Sequence, residues 1–360
     1  MTTLSSDAIR PAPPPAALFA VTVFASAALV FLVEPMIAKL VLPRLGGSPS
    51  VWNTSLAFFQ AALLAGYAYA HLLQRLPSLR AQALVHGAAM LAAAVVLPLR
   101  INELIGPPSS NHPALWLLGV LAVSVGAPFA VLSATAPLVQ AWHARTFGDA
   151  EGSDTANEPY VLYAASNLGS LLALLAYPAL VEPMLRLKTQ TLGWSFGYGA
   201  FALLMAWVGW VSRVAPPPRI EESLARATGG RTPWSQRLIW VALAAIPSSL
   251  MLGVTSYITT DVASAPFLWV GPLALYLLSF IIAFQASPLV APRLALALQA
   301  GAAVLFFVAL GTGTLFPLPL LLLVHLAAFF LTALVCHQAV AARRPAPEKL
   351  TEFYLLISLG

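Results

Sequence analysis

Residues 16–41 read AALFAVTVFASAALVFLVEPMIAKLV, and this stretch contains only two charged side chains, Glu34 and Lys39. A helix rises 1.5 Å per residue, so the stretch is long enough to cross the ~30 Å of hydrocarbon in a bilayer. It is too long to be the apolar segment of a cleaved signal peptide. The stretch therefore predicts an uncleaved first transmembrane helix.

Similar apolar stretches recur along the whole chain. Of its 360 residues, 59% are hydrophobic and 9% are charged, whereas soluble domains are ~25% charged. We predict an all-α integral membrane protein, a polytopic helical bundle of about ten complete transmembrane helices plus a truncated eleventh that begins at Thr351. The predicted complete spans are 16–41, 51–74, 81–99, 114–141, 160–181, 190–212, 238–260, 264–286, 292–311 and 317–341. Because ten residues of helix cross about half a bilayer, we expect the natural protein to continue beyond Gly360.

The basic residues predict the orientation of these helices. Thirteen of the 18 lysines and arginines fall on the side of the N-terminus, and five fall on the other side. The positive-inside rule then places the N-terminus in the cytoplasm, as in a multi-pass protein of the cell inner membrane. Basic residues scattered between apolar segments do not indicate a nucleic acid as a partner.

The polar connection after the sixth span divides the chain into two parts. The predicted organisation is a cytoplasmic tail at 1–15, a first transmembrane half of six helices at 16–212, a cytoplasmic linker at 213–237 and an incomplete second half at 238–360.

A weak internal repeat relates the two halves. Trp52, Leu56, Ala57 and Tyr67 match Trp269, Leu273, Ala274 and Phe284 at an offset of 217, and Tyr163, Leu168 and Gly169 match Tyr354, Leu359 and Gly360 at an offset of 191. The alternative explanation is chance similarity among helices rich in leucine and alanine. We favour a duplication, and parallel six-helix repeats are the plan of the major-facilitator fold.

Two of the spans carry a stripe of polar residues. In the second span the stripe is Asn53, Gln60, Tyr67 and His71, and in the fifth it includes Tyr163 and Asn167. Their spacing places each stripe on one helix face. For any one residue, interhelical hydrogen bonding explains the pattern. Taken together, the stripes favour an internal polar cavity along which a solute moves, because lipid cannot satisfy polar side chains.

The motif LVEPM occurs twice, at 32–36 and at 180–184. It places Glu34 inside the first span and Glu182 at the mouth of the fifth, and the proline that follows tends to kink or end a helix. With Asp261, these acids would form an outer acidic cluster suited to a cation or to a proton. The alternative is local ion pairing with the basic residues on the same side, which are Lys39, Arg44, Arg186 and Lys188.

The sequence contains no recognisable catalytic motif. His325 and the adjacent Cys336 and His337 lack the further ligands that a metal site needs, so we predict no metal and no cofactor in this chain. Cys336 is the single cysteine, which excludes an internal disulfide. The residues themselves therefore do not predict an enzyme.

Four segments together resemble a known protein family. They are FLVEPMIAKLVLPRLGGSPSVWNTSLAFFQAALLAGYAYAH (31–71), EPYVLYAASNLGSLLALLAYPALVEPMLRLKTQ (158–190), IPSSLMLGVTSYITTDVASAPFLWVGPLALYLLSFIIAF (246–284) and LTEFYLLISLG (350–360). They are similar to the membrane region of bacterial fused major-facilitator/spermidine-synthase proteins. The resemblance implies a following cytoplasmic domain that is similar to polyamine aminopropyltransferases, with a Rossmann-like fold and decarboxylated S-adenosylmethionine as its substrate. No catalytic residue of that domain maps onto this chain.

Two functions follow as expectations. The first is a transporter-like domain that binds or moves a small cationic solute similar to a polyamine. The second is a membrane anchor or scaffold for the cytoplasmic aminopropyltransferase-like domain. In both cases the lipid bilayer is the surrounding partner.

Overall fold

A computed structural model describes residues 16–46, 49–101, 103–108, 111–147, 158–213, 232–258, 270–285, 288–312, 317–346 and 349–360. Within these ranges the chain forms eleven helices and two short 3-10 helices, Ala94–Val96, which extends the third helix, and Glu103–Ile105; none of the described residues is in a β-strand. The first six are α1 (Ala16–Leu45), α2 (Pro49–Leu73), α3 (Leu79–Ala93), α4 (Pro113–Leu121, a π-helical turn at Ala122–Gly126, and Ala127–Phe147), α5 (Glu158–Ala176, a π-helical turn at Tyr177–Val181, and Glu182–Met184) and α6 (Leu187–Ser212). The other five are α7 (Trp234–Tyr257), α8 (Val270–Ala283), α9 (Pro292–Thr312), α10 (Leu318–Ala342) and α11 (Leu350–Leu359).

Most of these helices are long and apolar enough to cross a membrane. Among the described residues, nine helices meet both conditions, and α8 and α11 are shorter apolar helices. The predicted polytopic helical membrane protein is therefore confirmed. The first six residues of the predicted eighth span lie outside the described ranges, as does Asp261.

The helix pairs that pack together repeat between the two halves. In the first half α1 packs against α2, α4 and α5, and α4 also contacts α2 and α3. In the second half α7 packs against α8, α10 and α11, and α10 also contacts α8 and α9. Each pair of the second half is a pair of the first half with six added to both helix numbers. This correspondence supports the interpretation of two related repeats.

The correspondence between the halves also holds for single residues in two close helix contacts. Gly169 of α5 lies against the backbone carbonyl of Phe24 in α1, and Gly360 at the end of α11 lies against the carbonyl of Val241 in α7. A β-carbon at either glycine would overlap the carbonyl oxygen. Phe24 and Val241 are 217 residues apart, and the two glycines are 191 apart, which are the offsets of the sequence repeat. The repeat is therefore also a repeat of packing geometry.

Among the described residues, the most extensive contacts between the halves are those of α5 with α8, α2 with α11 and α4 with α11. In the repeat, α8 is equivalent to α2, and α11 is equivalent to α5. The contact of α5 with α8 is therefore equivalent to the contact of α11 with α2. One hydrophobic core fills the first half, and a second core extends from α7, α8, α10 and α11 to Tyr67, Ala144 and Tyr163 of the first half. We call the end of the bundle at which α2 ends and α11 begins the basic end, because the predicted topology assigns 13 of the 18 lysines and arginines to it.

The two LVEPM copies differ in backbone structure. The helix α1 continues through Pro35 and Pro43 to Leu45, so the proline of the first copy does not end its helix. In α5 the π-helical turn, which contains Pro178, comes immediately before Glu182, and the helix ends at Met184. Pro178 and Pro183, which have no backbone N–H group, lie within the last seven or so residues of α5, where the helix changes geometry and ends. The helix α1 instead remains continuous through Pro35 and Pro43.

Candidate functional site

Aromatic side chains from both halves meet near the basic end. Tyr163 of α5 stacks on Tyr354 of α11, with ring centroids 4.9 Å apart and an interplanar angle of 20°. Tyr163 also contacts Phe284 at 4.8 Å and Phe280 at 5.6 Å between centroids. Such aromatic pairs contribute about 0.5–1.5 kcal/mol each beyond the area they bury. Tyr163 is therefore a principal contact between the halves at this end.

The repeat explains why these residues meet. Tyr163 and Tyr354 are equivalent positions at the offset of 191, and Tyr67, which packs on the same core, is equivalent to Phe284 at the offset of 217. A residue that contacts its own counterpart lies close to the axis that relates the two repeats. We call Tyr67, Tyr163, Phe280, Phe284 and Tyr354 the axial aromatic cluster.

The cluster continues into the second half through a buried histidine. Phe280 stacks on His337 of α10 with centroids 3.6 Å apart, and Tyr276 meets the same imidazole edge-on at 5.0 Å. Ser279 Oγ lies 2.8 Å from His337 Nδ1, and Ser248 Oγ lies 3.1 Å from the Tyr276 hydroxyl. His337 Nε2 is buried and has no hydrogen-bond partner among the described residues. The packing therefore holds one imidazole nitrogen in the interior without a hydrogen-bond partner from the described part of the chain.

Hydrogen bonds join α11 to the first half beside the cluster. His71 Nδ1 lies 3.0 Å from Thr351 Oγ1, which links the end of α2 to the start of α11. The Tyr354 hydroxyl donates to Gln140 Oε1 of α4 at 2.5 Å. The start of α11 is thus attached to two helices of the other half.

An ion pair holds the start of α11 to the start of α7 at the same end. Arg237 Nη2 lies 2.5 Å from Glu352 Oε1, and the Thr232 hydroxyl donates to Glu352 Oε2 at 3.0 Å. Both charged side chains are about three-quarters buried, since 25% and 20% of their surfaces are exposed. This pair lies within the second half, so it adds an attachment of α11 to α7 beside the contact with His71.

The acids of the two LVEPM motifs have different surroundings. Glu182 forms an ion pair with Lys39 Nζ, whose ammonium also lies 5.9 Å from the centroid of the Tyr177 ring. Glu34 is partly buried on α1 and makes no hydrogen bond or ion pair with any of the described residues. Local pairing therefore accounts for Glu182 and leaves Glu34 open to another partner. Asp261, the third predicted acid, lies outside the described residues.

Glu34 lies close to the boundary between the halves. Phe31, one helical turn earlier on α1, packs against a small core that contains Leu174 of α5 and Val270 and Leu277 of α8. Residues three apart share a helix face. The Glu34 carboxylate is therefore placed beside the second half, on the opposite side of the membrane from the basic end.

The remaining predicted residues are only partly brought together. Tyr67, His71 and Tyr163 lie at the contact between the halves, whereas Asn53 and Gln60 are exposed on α2. Asn167 donates to the Tyr163 carbonyl of its own helix at 2.9 Å. Arg44, Arg186 and Lys188 are exposed, and none of them pairs with a carboxylate in the described part of the chain. The polar stripe of α2 therefore takes part in the contact between the halves only toward the basic end.

The sequence analysis missed several residues of this region, namely Gln140, Ser248, Tyr276, Ser279 and Glu352. Glu352 could have been found, because an acid in the first turn of an apolar span is expected to have a partner. In the sequence Tyr354 stands out only as the repeat equivalent of Tyr163. The stacking of the two rings could be predicted from this match if equivalent positions are expected to meet at the axis between the halves. The His337–Ser279 contact joins residues 58 apart on two helices, and no local pattern predicts it.

Comparison with solved structures identifies the fold. The structure is similar to the crystal structure of a double-tryptophan variant of XylE, a major-facilitator sugar transporter, with a TM-score of 0.58 and 14% sequence identity. The alignment covers 96% of this chain and 84% of that chain. The fold of this chain is therefore major-facilitator-like. Comparison with protein-family models and with curated proteins finds no match.

Proposed function

We propose that this chain, with its major-facilitator-like fold, is a transporter-like membrane domain that binds and moves a small solute between its two halves. The likeness to a sugar transporter and the meeting of equivalent residues at one end support this proposal. We place the basic end in the cytoplasm of the cell that holds the protein in its inner membrane. The axial aromatic cluster then closes the cytoplasmic end of the route between the halves.

The solute that we propose is a small organic cation similar to a polyamine. The observation that carries this choice is Glu34, a carboxylate within a membrane helix that no described residue pairs with. A charged side chain in this region is costly unless it faces a partner charge or water. A solute ammonium would supply the missing partner, whereas Lys39 already pairs with Glu182.

Transport assays with the purified chain in liposomes test the proposal. We expect radiolabelled spermidine to accumulate above protein-free liposomes and radiolabelled xylose not to. Glu34→Gln should lower the spermidine uptake by about tenfold or more, since ~1.4 kcal/mol of binding is a factor of ten. The matched variant Glu182→Gln removes an acid that is already paired and should lower uptake much less.

The outcomes separate the parts of the proposal. Uptake of neither solute by the folded protein contradicts a transport function. Uptake of xylose without spermidine leaves transport in place and overturns the cationic substrate. Wild-type uptake by Glu34→Gln removes Glu34 from the solute site.

The second candidate function is an anchor for a cytoplasmic aminopropyltransferase-like domain. Its support is the resemblance of the four sequence segments, which are distributed along the chain between residues 31 and 360. Cells that express the complete reading frame would then hold aminopropyltransferase activity in the membrane fraction. Such activity together with no uptake of any polyamine by the same membranes would favour the anchor over the transporter.

A further inference from the structure

The helices α3 and α6 cross closely on the outside of the first half. A β-carbon on Gly209 of α6 would lie 2.9 Å from the β-carbon of Ala83 in α3. Farther along, the Tyr198 hydroxyl of α6 donates to the Met90 carbonyl of α3 at 3.0 Å. The two helices are therefore neighbours over several turns, and α3 begins where α6 ends, at the basic end.

Two arginines lie on the basic side of this crossing. Arg80 is one turn before Ala83, and Arg213 is one turn after Gly209. Because α3 begins where α6 ends, both arginines lie between the crossing and the basic end. Neither arginine forms an ion pair with a carboxylate of the described residues. The Arg213 guanidinium stacks on the Trp210 ring, 3.0 Å from its centroid. The cation–π contact holds this charge at a defined place.

Exposed apolar side chains continue from each arginine toward the middle of the membrane. On α3, Leu84 and Leu91 are four and eleven residues beyond Arg80 and are 74% and 71% exposed. On α6, Trp210 and Trp207 are three and six residues before Arg213 and are 62% and 57% exposed. The spacings on α3 keep its side chains on one helix face, and on α6 each spacing of three makes neighbours of Arg213 and Trp210 and then of Trp210 and Trp207. The two faces thus present cations at the membrane surface and apolar or aromatic groups below them.

We infer that this α3/α6 surface binds the headgroup phosphate of an anionic phospholipid in the leaflet at the basic end. Guanidinium groups match phosphate oxygens in charge and in geometry. Tryptophan is favoured at the level of the headgroups, and basic residues beside a membrane helix attract anionic lipids. The acyl chains of the same lipid lie along Leu84 and Trp207. One molecule therefore satisfies both the charge and the apolar surface.

A second tryptophan–arginine pair shows what distinguishes this surface. Arg237 lies 4.9 Å from the Trp234 ring of α7, but its guanidinium is already paired with Glu352. Arg80 and Arg213 have no such carboxylate among the described residues. Their charge is therefore available to a lipid.

Native mass spectrometry of the purified chain in detergent tests the inference. The protein is titrated with dioleoyl-phosphatidylglycerol or with dioleoyl-phosphatidylcholine, and bound lipid is counted. We expect the wild type to prefer phosphatidylglycerol. The double variant Arg80→Gln/Arg213→Gln should bind this lipid about 30-fold less tightly, about fivefold for each arginine, and phosphatidylcholine equally well.

A matched double variant separates a local site from the total charge. Arg293→Gln/Arg343→Gln removes the same charge from the same end of the bundle, at the start of α9 and the end of α10, and should keep the lipid preference. Equal losses in both double variants, an unchanged preference in the first, or no preference in the wild type would each overturn the inference. Displacement of the lipid by millimolar inorganic phosphate would also overturn it, because the site would then bind a free anion. If the double variant does not fold, Arg80→Gln carries the test, because Arg80 is exposed and forms no ion pair with the described residues.

Discussion

At the scale of single residues, the sequence analysis kept two explanations of the acids open, and the structure divides them between two positions. Glu182 pairs with Lys39, and Glu34 has no partner among the described residues. The basic candidates were predictable, because they lie on the same side of the membrane in any helical topology. Which of them reaches an acid was not predictable, since that depends on how α1 and α5 pack against each other.

Breaking the Lys39–Glu182 pair should have a small effect on stability. Both side chains are partly exposed, at 35% and 26%, and such ion pairs contribute about 0–1 kcal/mol. We expect Lys39→Gln to lower the free energy of unfolding by less than about 1 kcal/mol, as measured by unfolding in mixed detergent micelles. Lys188→Gln, at an exposed lysine without a described carboxylate partner, is the control and should have no effect.

Gly169→Ala adds only one methyl group but should destabilise the protein strongly. The added methyl group would overlap the Phe24 carbonyl of α1, and overpacking of this kind costs about 1–3 kcal/mol. Gly193→Ala is the matched control, because a β-carbon there meets no atom within 4 Å. The same unfolding measurement should find the control neutral or slightly stabilised. Equal stabilities of the two variants would contradict the close contact of α1 and α5.

At the scale of the helices, hydropathy predicted existence and type well. The ends of an apolar stretch set the approximate ends of the helix that it forms. The positions of α1 to α7, α9 and α10 therefore agree with the predictions within a few residues at most ends. The largest errors concern backbone detail. The helix α1 continues to Leu45 through two prolines, and α5 contains a π-helical turn that no sequence pattern predicted. Contacts between distant helices, such as α4 with α11, follow from the assembly of the halves and not from any one helix.

A disulfide should form between α2 and α11 at the basic end. His71 and Thr351 are in hydrogen-bond contact at 3.0 Å, and α2 packs against α11. We therefore expect cysteines at these positions to approach closely enough for a disulfide after Cys336 has been replaced by serine. We expect His71→Cys/Thr351→Cys to cross-link on mild oxidation, as seen after cleavage in the linker and electrophoresis. If the halves move during transport, oxidation should lower spermidine uptake by about tenfold or more, and a reductant should restore it.

The control pair for this experiment is Gln60→Cys/Thr351→Cys. Gln60 is eleven residues before His71 on α2, which places it ~16 Å farther from the basic end. No cross-link is expected there. A cross-link in the control but not in the test pair would mean that α2 and α11 are packed in another register.

At the scale of the whole molecule, the repeat was detectable in the sequence because a few equivalent residues are constrained by the same kind of packing in both halves. Tyr163 matches Tyr354, and Gly169 matches Gly360, and each of these residues has a specific packing role. The candidate site was less accessible to prediction. His337 contacts Ser279, and Gln140 contacts Tyr354, across helices that are far apart in the sequence, so no local sequence pattern predicts these contacts.

The orientation in the membrane is open to a direct measurement. The positive-inside rule predicts that the basic end faces the cytoplasm. In a chain with Cys336 replaced by serine, Arg75→Cys in the turn after α2 should react with a membrane-impermeant maleimide only after the cells are opened. Lys188→Cys, at the other end of the bundle, should react in intact cells. The reverse pattern would invert the topology and place the axial aromatic cluster on the outside.

The stacking of Tyr163 on Tyr354 also bears on the origin of the protein. When two copies of one gene product associate about a two-fold axis, a side chain near that axis touches its twin in the other subunit. A six-helix ancestor, assembled as a pair of identical subunits in parallel orientation, would have paired this tyrosine with itself before fusion placed both copies in one chain. Once fused, the two positions could diverge, and the partners that surround each tyrosine now differ between the halves.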